Sequence, residues 1–433
     1  MFHLGWFVGH GISASGWRDF WAGDHGHTWM RSDVYLDLVR SMERAGFDYV
    51  MLEDSSLIPD VYQGSTRTYL QYGMSAPKND PVTLVPLLGS ATRHLGIVAT
   101  VTTSLYPPFL AARMLASLDH LTEGRVGANL VTAHNARAAQ NYGRPALLAH
   151  DERYAMAREW VEVVTRLFAS WEPDAMVVDP QEPMLVDHTK VHPIDFEGSY
   201  FSCRGPLNTV PGPQGRPVFC QAGGSPAGRE FAAQVADTVI GGHKSVDAMR
   251  SYRADMSERM TAHGRKPDDC KVLMTVVPTL GETVEEAQER KRRQQAAAGE
   301  RLDQFLAAMS YTTGLDMATF DLDAPLDQGL TTDAAQSVLA DYLRLGQGKT
   351  LREIALGGRD AESSPFVGTP DAVASAMGEV ITETGADGYL IANPIDRRSV
   401  SEICDGLVPA LRKRGLVRTA YEGATFRDNL LAF

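Results

Sequence analysis

The stretch Arg216-Pro217-Val218-Phe219-Cys220-Gln221-Ala222-Gly223-Gly224-Ser225-Pro226-Ala227-Gly228-Arg229 decides how the rest of this 433-residue chain is read. Val218 to Gln221 is a short apolar run of β-forming side chains, the pattern of a strand buried on both faces. Gly223 and Gly224 then turn the chain, Ser225 stands where an N-cap belongs, and Pro226 takes the first helical position. Arg229 to Ala236 continues as a short amphipathic helix. A strand that feeds through a glycine turn into a capped helix aims free amide N–H groups and the positive end of a helix dipole at one point. Phosphate is the usual occupant of such a point. A βα turn with nothing bound is the other reading.

The same unit recurs on both sides of it. Strands are expected at 2–8, 47–53, 95–101, 124–131, 238–241, 271–277 and 388–391. Helices are expected at 32–45 (stopped by Gly46), 80–92 (Asp80 then Pro81), 109–121, 150–169, 245–263, from Thr369-Pro370 onward, and at 398–414. Eight strands with interleaved helices predict an α/β fold, a (β/α)8 TIM barrel spanning 1–433 as one domain. Three segments break the rhythm and read as insertions at 55–80, 171–213 and 311–365. The second is expected to cover one barrel face. The third, which follows a strongly helical and charged run at 282–309, is a lid candidate.

Composition narrows the partners. A formal net charge of −13 supplies no basic stripe for a nucleic acid, yet it leaves room for a small anion held by amides and a few basic side chains. Cys203, Cys220, Cys270 and Cys404 lie far apart and form no metal or disulfide framework, as suits a reducing cytoplasm. No signal core and no bilayer-length apolar run is seen, so a cytoplasmic protein is expected.

In such barrels the chemistry sits at the C-terminal ends of the strands. The residues just past them are the loop carrying His10, His25 and His27 with Trp17, Trp21 and Trp29, then Asp54, Thr100 with Thr102, Asn129 with Thr132 to Asn135, and Gly223 to Ser225. This set is polar and largely uncharged. It lacks the paired carboxylates of a glycosidase and the H-x-H pattern of metal-dependent barrel hydrolases. Neutral hydrogen-bonding groups around a wide pocket suit a large heterocyclic cofactor.

Several blocks in this order resemble one family. Gly124-Arg125-Val126, Asn129-Leu130-Val131-Thr132 and Ala139-Gln140-Asn141-Tyr142-Gly143 are similar to the signature of bacterial luciferase-like flavin-dependent monooxygenases. The nearest group within it oxidises nitrilotriacetate, dibenzothiophene sulfone and long-chain alkanes. His150-Asp151-Glu152-Arg153-Tyr154, Val191-His192, Arg204-Gly205-Pro206-Leu207 and Gln221-Ala222-Gly223 with Ser225-Pro226 and Gly228 resemble further family blocks. The matches run from the N-terminus to about residue 242.

The resemblance implies an FMN site. Asp54 and Thr100 would lie near the isoalloxazine ring and ribityl chain, and Asn129 and the turn to His134 along the ring edge. His150, Tyr154, Gly224 and Ser225 would hold the phosphate. His150 and Tyr154 lie one helical turn apart, so both face one point. Against these roles stand plainer ones: a turn cap for Asp54, core packing for Tyr154, an N-terminal helix residue for His150. The implied reaction uses reduced FMN (FMNH2) from a separate NAD(P)H:flavin reductase, with O2 as co-substrate. One oxygen atom then passes to a small organic substrate through a C4a-hydroperoxyflavin. His10 and His134 are the acid–base candidates, with His25 and His27 behind them. The family often has Ser-Leu where this chain has Ala133-His134. Relatives commonly form dimers or tetramers, so a homodimer or homotetramer is expected. An F420-dependent oxidoreductase of the same fold and a catalytically silent flavin-binding relative are the alternatives. The Trp- and Tyr-rich loops lean toward an apolar or aromatic substrate.

Overall fold

Eight parallel strands pair in chain order and the last pairs with the first, which closes the (β/α)8 barrel expected from the sequence. They are β1 (His3–Val8), β2 (Tyr49–Leu52), β3 (Gly96–Thr102), β4 (Val126–Val131), β5 (Val218–Gln221), β6 (Thr238–Gly241), β7 (Lys271–Val276) and β8 (Gly388–Ile391). The structure is a computed structural model and describes residues 1–11, 13–14, 16–18, 22–181, 183–242, 245–299, 301–357 and 366–433. Around the strands stand α1 (Asp33–Ala45), α2 (Pro81–Ser90), α3 (Pro108–Leu121), α4 (His150–Phe168), α5 (Pro226–Val235), α6 (Val246–Ala262) and α7 (Pro370–Thr384). A last helical stretch at 397–413 contains a π-helical segment, Glu402–Leu407.

The helix starts follow from side-chain caps. Asp80, Ser225, Ser245 and Thr369 each accept a hydrogen bond from an amide in the first turn of the helix they precede. Gly46 ends α1 at φ 79°, a left-handed conformation that an L side chain resists.

Alternate strand residues split the core. Tyr49, Met51, Val98, Val218, Cys220, Leu273 and Leu390 pack in the interior cluster, whereas Val50, Leu52, Ile97, Ala99 and Val101 pack in the cluster that includes the helices. The N-terminal end of the barrel is plugged by the helix Phe426–Leu430. Phe426 lies so close to Gly96 that a Cβ there would sit 2.5 Å from its ring. Around the plug Asp48 bridges His3 and Arg418, and Asp237 bridges Arg216 and Arg427. With that end sealed, the opposite end is left for chemistry.

Two of the three expected insertions need correction. Residues 171–213 do not cover a barrel face but wrap the outer helix layer. Glu159 of α4 accepts from the amides of Ser199, Tyr200 and Phe201, and His120 Nε2 of α3 hydrogen-bonds the Val210 carbonyl at 2.9 Å. Side chains of the helix layer anchor this segment. The insertion after β7 begins well before residue 311. Its helices are Val284–Gly299, Leu302–Thr313, Gln336–Leu345 and Leu351–Gly357. The charged pattern at 282–309 looks like an ordinary barrel helix, yet Leu306, Ala307 and Met309 build a second core with Tyr62, Tyr69 and Met74 from 55–80. That first insertion is also more regular than expected, with a turn at Tyr62–Gly64 and a helix at Arg67–Tyr72. Residues 358–365 of the expected lid lie outside the described residues.

Candidate functional site

Thr100 and Asn129 stand side by side in the register of β3 and β4. The Thr100 hydroxyl donates to the carbonyl of Leu52 at 2.8 Å and accepts from Asn129 Nδ2 at 3.0 Å. The side chains are buried, and among the described residues Asn129 Oδ1 has no hydrogen-bond partner. A sealed amide oxygen left unpaired is costly and marks a place for a donor.

The chain leaving β4 turns through Ala133 at φ 58° and delivers His134. The His134 ring meets the edge of Tyr311 at 4.9 Å between centroids, and its Nε2 is buried without a partner. Burial, assisted by the charge of Arg153, pulls its pKa down to about 4, so the imidazole is neutral near pH 7. Beyond β2, Lys78 Nζ donates to Glu53 Oε2 at 2.8 Å and to Ser55 Oγ at 3.0 Å. Burial raises Glu53 despite the lysine, and it lifts Asp54 to about 6.

The start of α4 meets the β5–α5 turn that opened the sequence reading. The His150 ring packs edge-on against Tyr154 at 5.2 Å, with His150 Nδ1 2.7 Å from Asp151 Oδ1. The phenol of Tyr154 is raised by burial while hydrogen bonding with Ser225, Thr132 and Gln221 lowers it. Its oxygen would lie 2.8 Å from a Cβ on Gly228, so that glycine is required by the close approach. Ser225 Oγ accepts from the Gly228 amide at 3.2 Å, and the Gly224 carbonyl is drawn aside by Arg229 Nε at 2.9 Å. Pro226 carries no N–H and Ser225 holds the amides of Gly228 and Arg229, so among the described residues the Ala227 amide is the donor left open in the first turn of α5, which the Tyr154 phenol approaches at Gly228. Hydroxyl, phenol, imidazole and amide donors in one small space form a cradle for a phosphate-sized anion.

Comparison with known proteins agrees with this geometry. A family model described as luciferase-like monooxygenase matches residues 15–388. The chain belongs to this family. It is therefore a flavin-dependent monooxygenase by class. It is 33% identical over 415 residues to the dibenzothiophene-sulfone monooxygenase of Rhodococcus erythropolis, covering 94% of this chain and 91% of that one. It is 34% identical over 433 residues to nitrilotriacetate monooxygenase component A of Aminobacter aminovorans, covering 97% and 94%. The crystal structure of a riboflavin lyase with modified FMN and substrate riboflavin superposes at a TM-score of 0.86, with 31% identity over 100% of this chain and 96% of that one.

The expected residues of this family member do not all converge. Asn129 meets Thr100, Tyr154 meets His150 and Ser225, and Gly224 lies on the same turn. His10 sits half-exposed on the turn after β1, where a Cβ on Gly11 would sit 2.5 Å from the Glu53 carbonyl. His25 Nε2 hydrogen-bonds the Ser13 carbonyl at 3.0 Å, and His27 is exposed on the short helix His25–Thr28. Trp21 lies outside the described residues. The sequence reading missed Lys78, Glu53, Tyr311, Arg153 and Ser337. Arg153 carried a signal, being the one basic residue between His150 and Tyr154; Tyr311 and Ser337 lie far along the chain with no local motif.

Among the described residues no helix is long and apolar enough to cross a membrane.

Proposed function

We propose that the chain is the oxygenating component of a two-component system, using reduced FMN delivered by a separate NAD(P)H:flavin reductase. The observation that carries this is the cradle at the β5–α5 turn, set beside the unpaired Asn129 Oδ1. One end fits a phosphate and the other a ring N–H. Component A in the name of the nitrilotriacetate relative and the FMN in the riboflavin lyase support the same reading.

In this reading His150, Tyr154, Ser225 and the Gly224 amide hold the phosphate, and Thr100 fixes Asn129 so that Oδ1 faces the ring. Bound and reduced, the flavin supplies the electrons for splitting O2, one atom going to the substrate and the other to water. His134 is the neutral group able to take or return a proton at Nε2, ahead of the more exposed His10. Asp54, lifted to about 6, exchanges a proton near neutrality. The insertion after β7 brings Tyr311 against His134 and excludes water from that edge. The Glu53–Lys78 pair and Ser55 give the substrate side a polar wall, which suits a small organic substrate with a hydrogen-bonding group.

Anaerobic titration of the purified protein with reduced FMN and, side by side, reduced F420 tests this reading. Saturable binding of FMN with weaker F420 binding is expected. Oxygenation should then follow with FMN, NADH and a flavin reductase over sulfones, sulfides, alkanes and aminopolycarboxylates. The absence of a saturable site for reduced FMN rejects the proposal.

A further inference from the structure

Resting on the FMN reading, we propose that the insertion after β7 completes the cofactor's phosphate site. The Ser337 hydroxyl is a phosphate ligand, and Arg153 is the buried counter-charge that ties the insertion to it.

Ser337 stands in the first turn of the helix Gln336–Leu345, which Ala335 precedes without a side-chain cap. A Cβ built on Gly224 would lie 2.9 Å from Ser337 Oγ and 3.0 Å from its Cβ, and would meet nothing else within 4 Å. The insertion therefore meets the phosphate turn at Ser337. The first turn of Gln336–Leu345 thus lies against the turn that starts α5 and adds the positive end of its dipole there.

Arg153 supplies an independent observation. It is 2% exposed, donates through Nη1 to the Leu148 carbonyl at 2.7 Å and through Nη2 to the Asp333 carbonyl at 2.6 Å. Its Nε is buried without a partner, and it makes no ion pair with a carboxylate of the described residues. The direct partners of this sealed guanidinium are carbonyls, and the charges of Asp333 and Asp151 reach it without an ion pair, so an anion within hydrogen-bond reach of it would be favoured. Its field is felt at His134 and at Tyr154, which places the charge at the cradle. The Asp333 contact fixes the segment only four positions before Ser337, so the group that needs an anion also positions the hydroxyl that would bind one.

The experiment compares FMN with riboflavin, which carries the same ring without the phosphate. Both are titrated into wild type, Ser337→Ala and Ser337→Thr by flavin fluorescence, and trypsin cleavage after Arg344 and Arg352 is followed with each ligand. Alanine is the better helix former, so loss of folding is not expected in that variant. The expected result is FMN binding weakened about tenfold in Ser337→Ala and restored in Ser337→Thr, with riboflavin binding unchanged in all three. FMN but not riboflavin should slow cleavage of the insertion. Equal FMN affinity of wild type and Ser337→Ala, or equal protection by the two ligands, overturns this inference and leaves the cofactor reading standing. Failure of wild type to bind FMN both in this titration and, reduced, in the anaerobic one overturns both.

Discussion

The Asn129 amide donates to the Thr100 hydroxyl, and Thr100 in turn donates to the carbonyl of Leu52, so one chain of hydrogen bonds crosses three neighbouring strands. A hydroxyl has one proton, and here it is committed to the carbonyl, so the group facing Thr100 must be the amide nitrogen. That assignment leaves Asn129 Oδ1 as the free acceptor. Thr100→Val should release the amide, strand the Leu52 carbonyl and lower unfolding stability by about 1–3 kcal/mol. Asn129→Ala should weaken reduced-FMN binding about tenfold, the loss of one good hydrogen bond. Urea midpoints and flavin titration check the two separately.

Asp54 sets a pH dependence. Burial lifts its carboxyl from 3.8 to about 6, so the folded protein holds this proton more tightly than the unfolded chain does. Its contribution therefore favours folding as pH falls through 6 and opposes it at higher pH, where a buried charge must be carried. Asp54→Asn, neutral throughout, should raise Tm at pH 8, with the gain fading as pH falls toward about 4. A Tm difference independent of pH would remove this account.

The Glu53–Lys78 pair is asymmetric in its exposure, 24% against 8%. Lys78→Met leaves the Glu53 carboxylate without its cation and should lower stability by roughly 2 kcal/mol, less than for a fully sealed pair. Adding Glu53→Gln should recover most of that loss, since the two changes share one interaction. Additive losses in the double variant would show that the two side chains act separately.

Phe426→Ala opens a hole in the plugged end and should cost about 3–5 kcal/mol. Because the cradle lies at the other end of the strands, FMN affinity of the remaining folded protein should stay at the wild-type value. Denaturation and flavin titration on the same sample give both numbers.

The barrel was legible because each of its units announces itself locally. Asp80-Pro81, Ser225-Pro226 and Thr369-Pro370 mark helix starts, Gly46 marks an end, and the strands fall within two residues of the expected positions. The turn at Ser225 was legible for the same reason, as a helix start, and His150 and Tyr154 were singled out by the family block they resemble. The second core was not. Tyr62 and Tyr69 find their partners Leu306 and Ala307 more than two hundred positions away, and no periodicity reports a contact of that span. In the loop after β1 the clustered histidines suggested a pocket, and there the Ser13 carbonyl engages the His25 ring while His27 is exposed.

The second core has a consequence for recombination. Tyr62, Tyr69 and Met74 share their apolar faces with Leu306, Met309 and Leu339, so residues 55–80 and the helices after β7 form a two-part cassette clipped onto an otherwise self-sufficient barrel. A chimera that receives one part from a relative and keeps its own other part would face mismatched side chains across that seam. Exchange of both parts together is the transplant that should fold, and it would carry the donor's walls around His134 and Gly224 with it.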